Sequence, residues 1–223
     1  MDKSSLEDLI KKLQVAPGIN GKDEYFNSAV LALLMLVDEE FHFVFQKRAA
    51  SIRQAGEICF PGGKFDPCKD ADFKETAIRE TAEELGVPLD KIQVVGTLDT
   101  VVATGTTVDA FLGVIDINSL DDLHINPDEV ERIFSIPVSY FETTEPEVYK
   151  VNIVAYPSYV NQAGEEVILL PVKELGLPER YTRPWGNTLN NVYVYRVAGV
   201  TIWGITARLI KDVMTKMRIR TKN

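Results

Sequence analysis

Sulfur, long apolar runs and positive charge are all in short supply in this chain. Only two of its 223 residues are cysteine, Cys59 and Cys68, too few for a disulfide framework. One falls at an apolar strand end and the other in a polar loop, so they read as unrelated thiols. The longest apolar run, Ala29 to Val37, has nine residues, about half of what a membrane-crossing helix requires. Near the N-terminus stand Asp2, Lys3, Glu7 and Asp8, where a secretory leader would be apolar. These features lead to the expectation of a reducing, cytoplasmic setting with no membrane partner. Lys and Arg total 24 against 33 Asp and Glu, a formal net charge of -9, the wrong field for a nucleic-acid backbone. Small phosphorylated substrates stay open, because a metal ion can bridge two negative groups. The chain shows no internal repeat and no low-complexity segment.

What is present is ordinary globular material, 45% hydrophobic and 26% charged, long enough for one full core. We expect a single domain over 1–223, with residues 1–20 as an N-terminal helix and loop and 171–191 as an insert. Leu6, Leu9, Ile10 and Leu13 recur at helical spacing. Ala29–Val37 and Phe41–Gln46 read as strands joined by a short polar turn, the first central because its polarity does not alternate. Ile92–Val102 and Val108–Ile117 also read as strands. Asn126-Pro127-Asp128-Glu129 has the N-cap, proline and acids of a helix start. A hairpin is expected around Asn161–Gly164, a strand over Val192–Val197, and a last helix opening at Ile202.

The most informative stretch runs from Phe60-Pro61-Gly62-Gly63 to Arg79-Glu80-Thr81-Ala82-Glu83-Glu84-Leu85-Gly86-Val87. Asp72 and Glu75 are spaced as an N-cap and its capping-box partner, and Gly86 with Pro88 supplies the stop. On a helical projection Ile78, Thr81, Ala82 and Leu85 share one side, and Glu80, Glu83 and Glu84 the other. Three glutamates at i, i+3 and i+4 repel by a few tenths of a kcal/mol per pair, unless a hard cation sits among them. Mg2+ is commonly held in this way, by a few carboxylates together with waters and substrate phosphates. Upstream, Lys47, Arg48 and Arg53 lead into the glycine turn and offer donors suited to phosphate.

Arg79-Glu80, Glu83-Glu84 and Gly86-Val87 resemble the second half of the Nudix hydrolase signature. Its first half departs: Arg79 lies sixteen positions after Gly63 rather than fourteen, and Lys69 and Ala71 stand where an early Glu is expected. Asp66 or Asp70 is the candidate replacement. A narrower likeness, to the coenzyme A pyrophosphatase subgroup, is carried by Arg48, Arg53, Gly56, Phe60-Pro61-Gly62-Gly63, Gly63-Lys64-Phe65-Asp66-Pro67 and Ile202-Trp203-Gly204-Ile205-Thr206-Ala207. Gln46 and Ala49 replace a Thr and a Ser of that element.

The resemblance implies an α/β fold, the Nudix α/β/α sandwich with a mixed sheet, and a Mg2+- or Mn2+-dependent diphosphatase. Coenzyme A would give 3′,5′-ADP and 4′-phosphopantetheine. Other nucleoside diphosphate derivatives such as ADP-ribose or NADH, and a non-catalytic nucleotide sensor, are the alternatives. It implies metal ligation by Glu80 and Glu84 with Glu83 and the Gly63 carbonyl in support, and Arg79 fixing the carboxylates. Arg48, Arg53, Gly62, Gly63 and Lys64 would meet substrate. The base is open between Glu80, Glu83 and a loop carboxylate. Glu129 and Asp70 are further carboxylate candidates, and Arg183 and Trp185 mark either a loop facing an adenine or a surface loop with a packed Trp. The family's habit allows a homodimer.

Overall fold

The computed structural model describes Leu6, Lys11, residues 18–197 and residues 199–218. The helix expected over residues 4–14 falls outside them apart from Leu6 and Lys11. Strands β1 (Phe26–Val37) and β2 (Glu40–Arg48) form a hairpin whose two-residue turn puts Asp38 and Glu39 at φ 46° and 68°, the twist that hairpins favour. Next come β3 (Ile58–Cys59), β4 (Gly62–Lys64), helix α1 (Phe73–Leu85), β5 (Ile92–Thr97), β6 (Val101–Ala103) and β7 (Thr106–Ile115). The chain continues with β8 (Val130–Pro137), α2 (Val138–Thr143), β9 (Glu147–Ala155), β10 (Ser158–Val160), β11 (Glu166–Ile168), β12 (Trp185–Val197), β13 (Val200–Trp203) and α3 (Gly204–Arg218).

Eight strands make one mixed sheet. β1 lies at its centre, antiparallel to β2 and parallel to β7. Its residues divide by twos: Ala29, Leu31, Leu33 and Met35 pack with Ala77 and Leu85 of α1. Ala32 joins Phe43, Phe45, Phe141 of α2 and Leu209, Ile210 and Val213 of α3 on the other face. Helices therefore cover both faces, and a strand buried on both faces shows no alternation. The result is an α/β layered fold with a mixed sheet between helices. No described helix is long and apolar enough to cross a membrane.

Several expectations are corrected. Residues 126–130 form a turn rather than a helix: Asn126 accepts the Asp128 N–H through its side chain and the Glu129 and Val130 N–H groups through its carbonyl. The chain then enters β8, which pairs with β2, because the apolar residues beyond Asn126 find a sheet edge. Ile92–Val102 is two strands, not one. Ile202 and Trp203 end strand β13, and α3 begins only at Gly204. The Asn161–Gly164 hairpin is the small β10–β11 pair, whereas β9 pairs with β12. The 171–191 insert holds a short 3-10 turn at Glu179–Thr182 and already contains the start of β12.

Candidate active site

Helix α1 begins where Asp72 accepts the Glu75 N–H at 2.9 Å. Glu75 returns its carboxylate to the Ala71 N–H at 2.7 Å, one residue earlier than a reciprocal box would place it. Gly86, at φ +64°, ends the helix by donating its N–H to Ala82. The double glycine ahead of the helix lies against β1, with Gly62 beside Val30 and Gly63 beside Ala29. A Cβ on Gly62 (φ +152°) would stand 2.3 Å from the Ala29 carbonyl, and one on Gly63 2.3 Å from Glu80 Cδ. Only glycine lets the turn fit between β1 and the glutamates.

That fit governs the carboxylates. Glu84 is 2% exposed, and Oε2 accepts the Gly62 N–H at 2.9 Å. Burial pushes its carboxyl up to about 7, against the pull of that N–H. Glu80 is also shifted upward, by burial first, against the opposing effect of Arg79. The fully buried Gln46 carboxamide lies beside Glu84 and Cys59 without a hydrogen bond of good geometry to either. Cys59 is pushed up to about 11, chiefly by burial, which leaves it a protonated thiol rather than a nucleophile. Cys59 and Cys68 are both free.

The helical projection needs amending here. Glu84 belongs to the buried side with Thr81 and Leu85, because α1 packs on the short strand β4, which carries the glycine turn, as well as on β1. The Glu83 side chain is 53% exposed and pairs with Arg79 Nη1 at 3.0 Å. It is absent from the cavity wall described next, so the three glutamates do not converge. Asp70 is no free loop carboxylate either. It accepts Arg79 Nε at 2.7 Å and Nη2 at 2.9 Å, Thr76 Oγ1 at 2.9 Å and the Asp66 N–H at 3.1 Å. With Arg79 as the main cause its carboxyl lies well below the usual range. Arg79 also donates to Glu80 Oε1 at 2.8 Å, so Asp70 holds the arginine that holds Glu80.

A cavity of about 520 Å3 opens in front of these groups. Glu57, Glu80, Glu84 and Glu129 supply its carboxylates and Arg48, Arg53 and Lys64 its cations. Glu129 arrives because its carbonyl accepts the Ala49 N–H and Asp128's carbonyl accepts Ser51 Oγ, fastening its turn to the basic loop. Arg48 Nε in turn donates to the Arg53 carbonyl at 3.0 Å. Arg183 and Trp185 are not on the wall; Trp185 packs edge-on against Tyr181 at 5.4 Å. Phe26 and Trp203 are there instead. Sequence reasoning gave no site role to Glu57, Phe26, Gln46 or Trp203. The signals available were a lone amide ending an apolar strand and an indole beside a glycine.

Among the described residues no three Asp, Glu, His or Cys side chains form a ready cation cage. Mg2+ does not demand one, since it is usually held by one or two carboxylates with waters and phosphates. Two carboxylates shifted upward, Glu84 buried beside an unpartnered amide and Glu80 part-buried, fit a hard divalent cation. Glu80 and Glu84 could hold it, with Gly63 beside them.

Residues 26–153, more than half of the chain, match the NUDIX domain, and the chain belongs to the Nudix hydrolase family. It is 34% identical over 146 residues to Nudix hydrolase 3 of Caenorhabditis elegans, covering 61% of this chain and 60% of that one. To the peroxisomal coenzyme A diphosphatase of Mus musculus it is 34% identical over 143 residues, covering 63% and 56%. To the mitochondrial coenzyme A diphosphatase of the same animal it is 37% identical over 167 residues, covering 72% of each. The chain thus spans less than two thirds of the length of the first two.

Proposed function

We propose that this protein is a divalent-cation-dependent hydrolase that splits the diphosphate of coenzyme A or its derivatives into 3′,5′-ADP and 4′-phosphopantetheine. One observation carries the reading: Glu84, buried and short of partners, and the part-buried, Arg79-held Glu80 line a single cavity together with Arg48, Arg53 and Lys64. Carboxylates alone would repel a diphosphate and cations alone would only bind it. Both together suit a metal-bridged phosphate. When bound, Mg2+ or Mn2+ would neutralise charge on the diphosphate and lower the pKa of a water molecule.

In this reading Glu80 and Glu84 hold the cation, with the Gly63 backbone in support. Arg79, anchored by Asp70, keeps Glu80 in one orientation through a charge-assisted bond. Arg48, Arg53 and Lys64 receive phosphate oxygens, while the glycine turn lets the chain approach them closely. Glu80 or Glu129, both on the cavity wall, takes a proton from the attacking water in this reading, as the water oxygen joins one phosphorus and the bond to the bridging oxygen breaks. The names of the two mouse relatives support coenzyme A as substrate. The same reading takes 1–223 as one domain working in a reducing compartment such as the cytoplasm.

Side-by-side assays with coenzyme A, ADP-ribose and NADH, each with Mn2+ and with chelator, test it. Metal-dependent release from coenzyme A is expected, and turnover confined to the other two would overturn it in favour of a broader nucleoside-diphosphate hydrolase. Gln46 and Ala49, both buried beside the basic loop, favour that second reading because they depart from the subgroup's element.

A further inference from the structure

Besides the acidic and basic groups, the cavity is lined by Phe26, the Thr104–Thr106 turn and Trp203. Phe26 is 45% exposed and Trp203 47% exposed, although other apolar residues lining the cavity, Phe60 and Leu209, are buried. Two large rings left facing water inside a cavity lose hydrophobic stabilisation for the free protein, and their backbones are well fixed. Phe26 opens β1, its N–H bonded to the Gly105 carbonyl and its carbonyl accepting Thr106 Oγ1. Trp203 closes β13 in register with Val194, directly before the left-handed Gly204 and helix α3. The Arg53 guanidinium lies 6.0 Å from the Phe26 ring, so a cation stands beside the aromatic surface.

Resting on the diphosphatase reading, we propose that Phe26 and Trp203 form the platform for the substrate's nucleobase, with Arg53 at the phosphate next to it. A base offers a flat π-face to an exposed aromatic ring. The phosphopantetheine arm has no such face and more rotatable bonds to freeze, so the base gains more from this wall. The platform also replaces the Arg183–Trp185 loop, whose indole is engaged with Tyr181 away from the cavity.

The chain has only two tryptophans, so Trp185→Phe leaves Trp203 as the sole indole reporter. Titrating this variant with 3′,5′-ADP should change its emission saturably, and 4′-phosphopantetheine should leave it unchanged. In the full chain, Phe26→Leu and Trp203→Leu should each raise KM for coenzyme A roughly tenfold, the order expected for one stacked base, with kcat changed less than about threefold. A response to phosphopantetheine alone, or to neither half in a protein that hydrolyses coenzyme A, would overturn the proposal. A fluorescence response to 3′,5′-ADP in a protein that hydrolyses no diphosphate would uphold the platform while removing the enzyme reading. The fluorescence arm needs no substitution at the wall and stands even if either leucine variant fails to fold.

Discussion

Two buried carboxylates fourteen residues apart in the sequence are treated oppositely by the fold. Asp70 receives four hydrogen bonds, two of them from Arg79, and is shifted down. Glu84, no more exposed, receives one, from Gly62, and is shifted up to about 7. A saturated carboxylate stabilises the native state, whereas a starved one costs stability until something positive arrives. In the proposed function the first holds the framework and the second holds a ligand. Arg79, bonded both to Asp70 and to Glu80, joins the two.

The sharpest way to break this contrast is Glu84→Gln. We expect a loss of coenzyme A turnover of at least about 100-fold, the scale of removing a group that acts in the transition state, with melting temperature unchanged or raised. A variant that melts lower and still turns over normally would place Glu84 with Asp70. Next in size is Gly62→Ala, whose new Cβ meets the Ala29 carbonyl at 2.3 Å. A loss of about 3 kcal/mol in urea unfolding is expected from the strain. Gly63→Ala presses instead on the Glu80 carboxyl and should lower activity more than stability. Asp70→Asn should cost about 3 kcal/mol by leaving Arg79 without its main partner.

The pH dependence of metal-free stability sharpens the contrast further, because the two groups have opposite signs. Asp70 has a folded pKa below its unfolded value, so its contribution is complete above about 3.8 and is lost as pH falls through the folded value. Glu84 has a folded pKa above its unfolded value, so stability is lost as pH rises from about 4.5 to about 7 and levels beyond. Urea titrations should show Glu84→Gln flattening most of the second slope, with Glu80, also shifted upward, leaving a remainder, and Asp70→Asn removing the first. The smallest effect belongs to Glu83→Gln, where a solvent-facing bridge is removed. Stability should change by less than about 1 kcal/mol, and turnover by only a few-fold.

The central place of Ala29–Val37, the capped acidic helix and the glycine turn were legible because each rests on local signals: period, cap and turn chemistry. The split among the three glutamates was not. A helical projection assumes one packed face, and α1 is packed against two strands of the sheet, β1 and the short β4. Asp70's true role was hidden for a related reason, since nothing in its spacing announces that Arg79 will fold back nine residues to meet it. Asn126 carried a good N-cap signal, which the β2 edge overrode by offering Val130–Pro137 a strand partner. Trp203 was noted within its run, yet only the tertiary fold brings it to the same cavity as Phe26.

Isothermal calorimetry of Mn2+ added to the metal-free wild type and to Glu84→Gln addresses the difference between the two carboxylates at its source. Saturable uptake by the wild type that is lost or greatly weakened in the variant is the expected result. No uptake by the wild type, or equal uptake by both proteins, would contradict a cation role for this carboxylate.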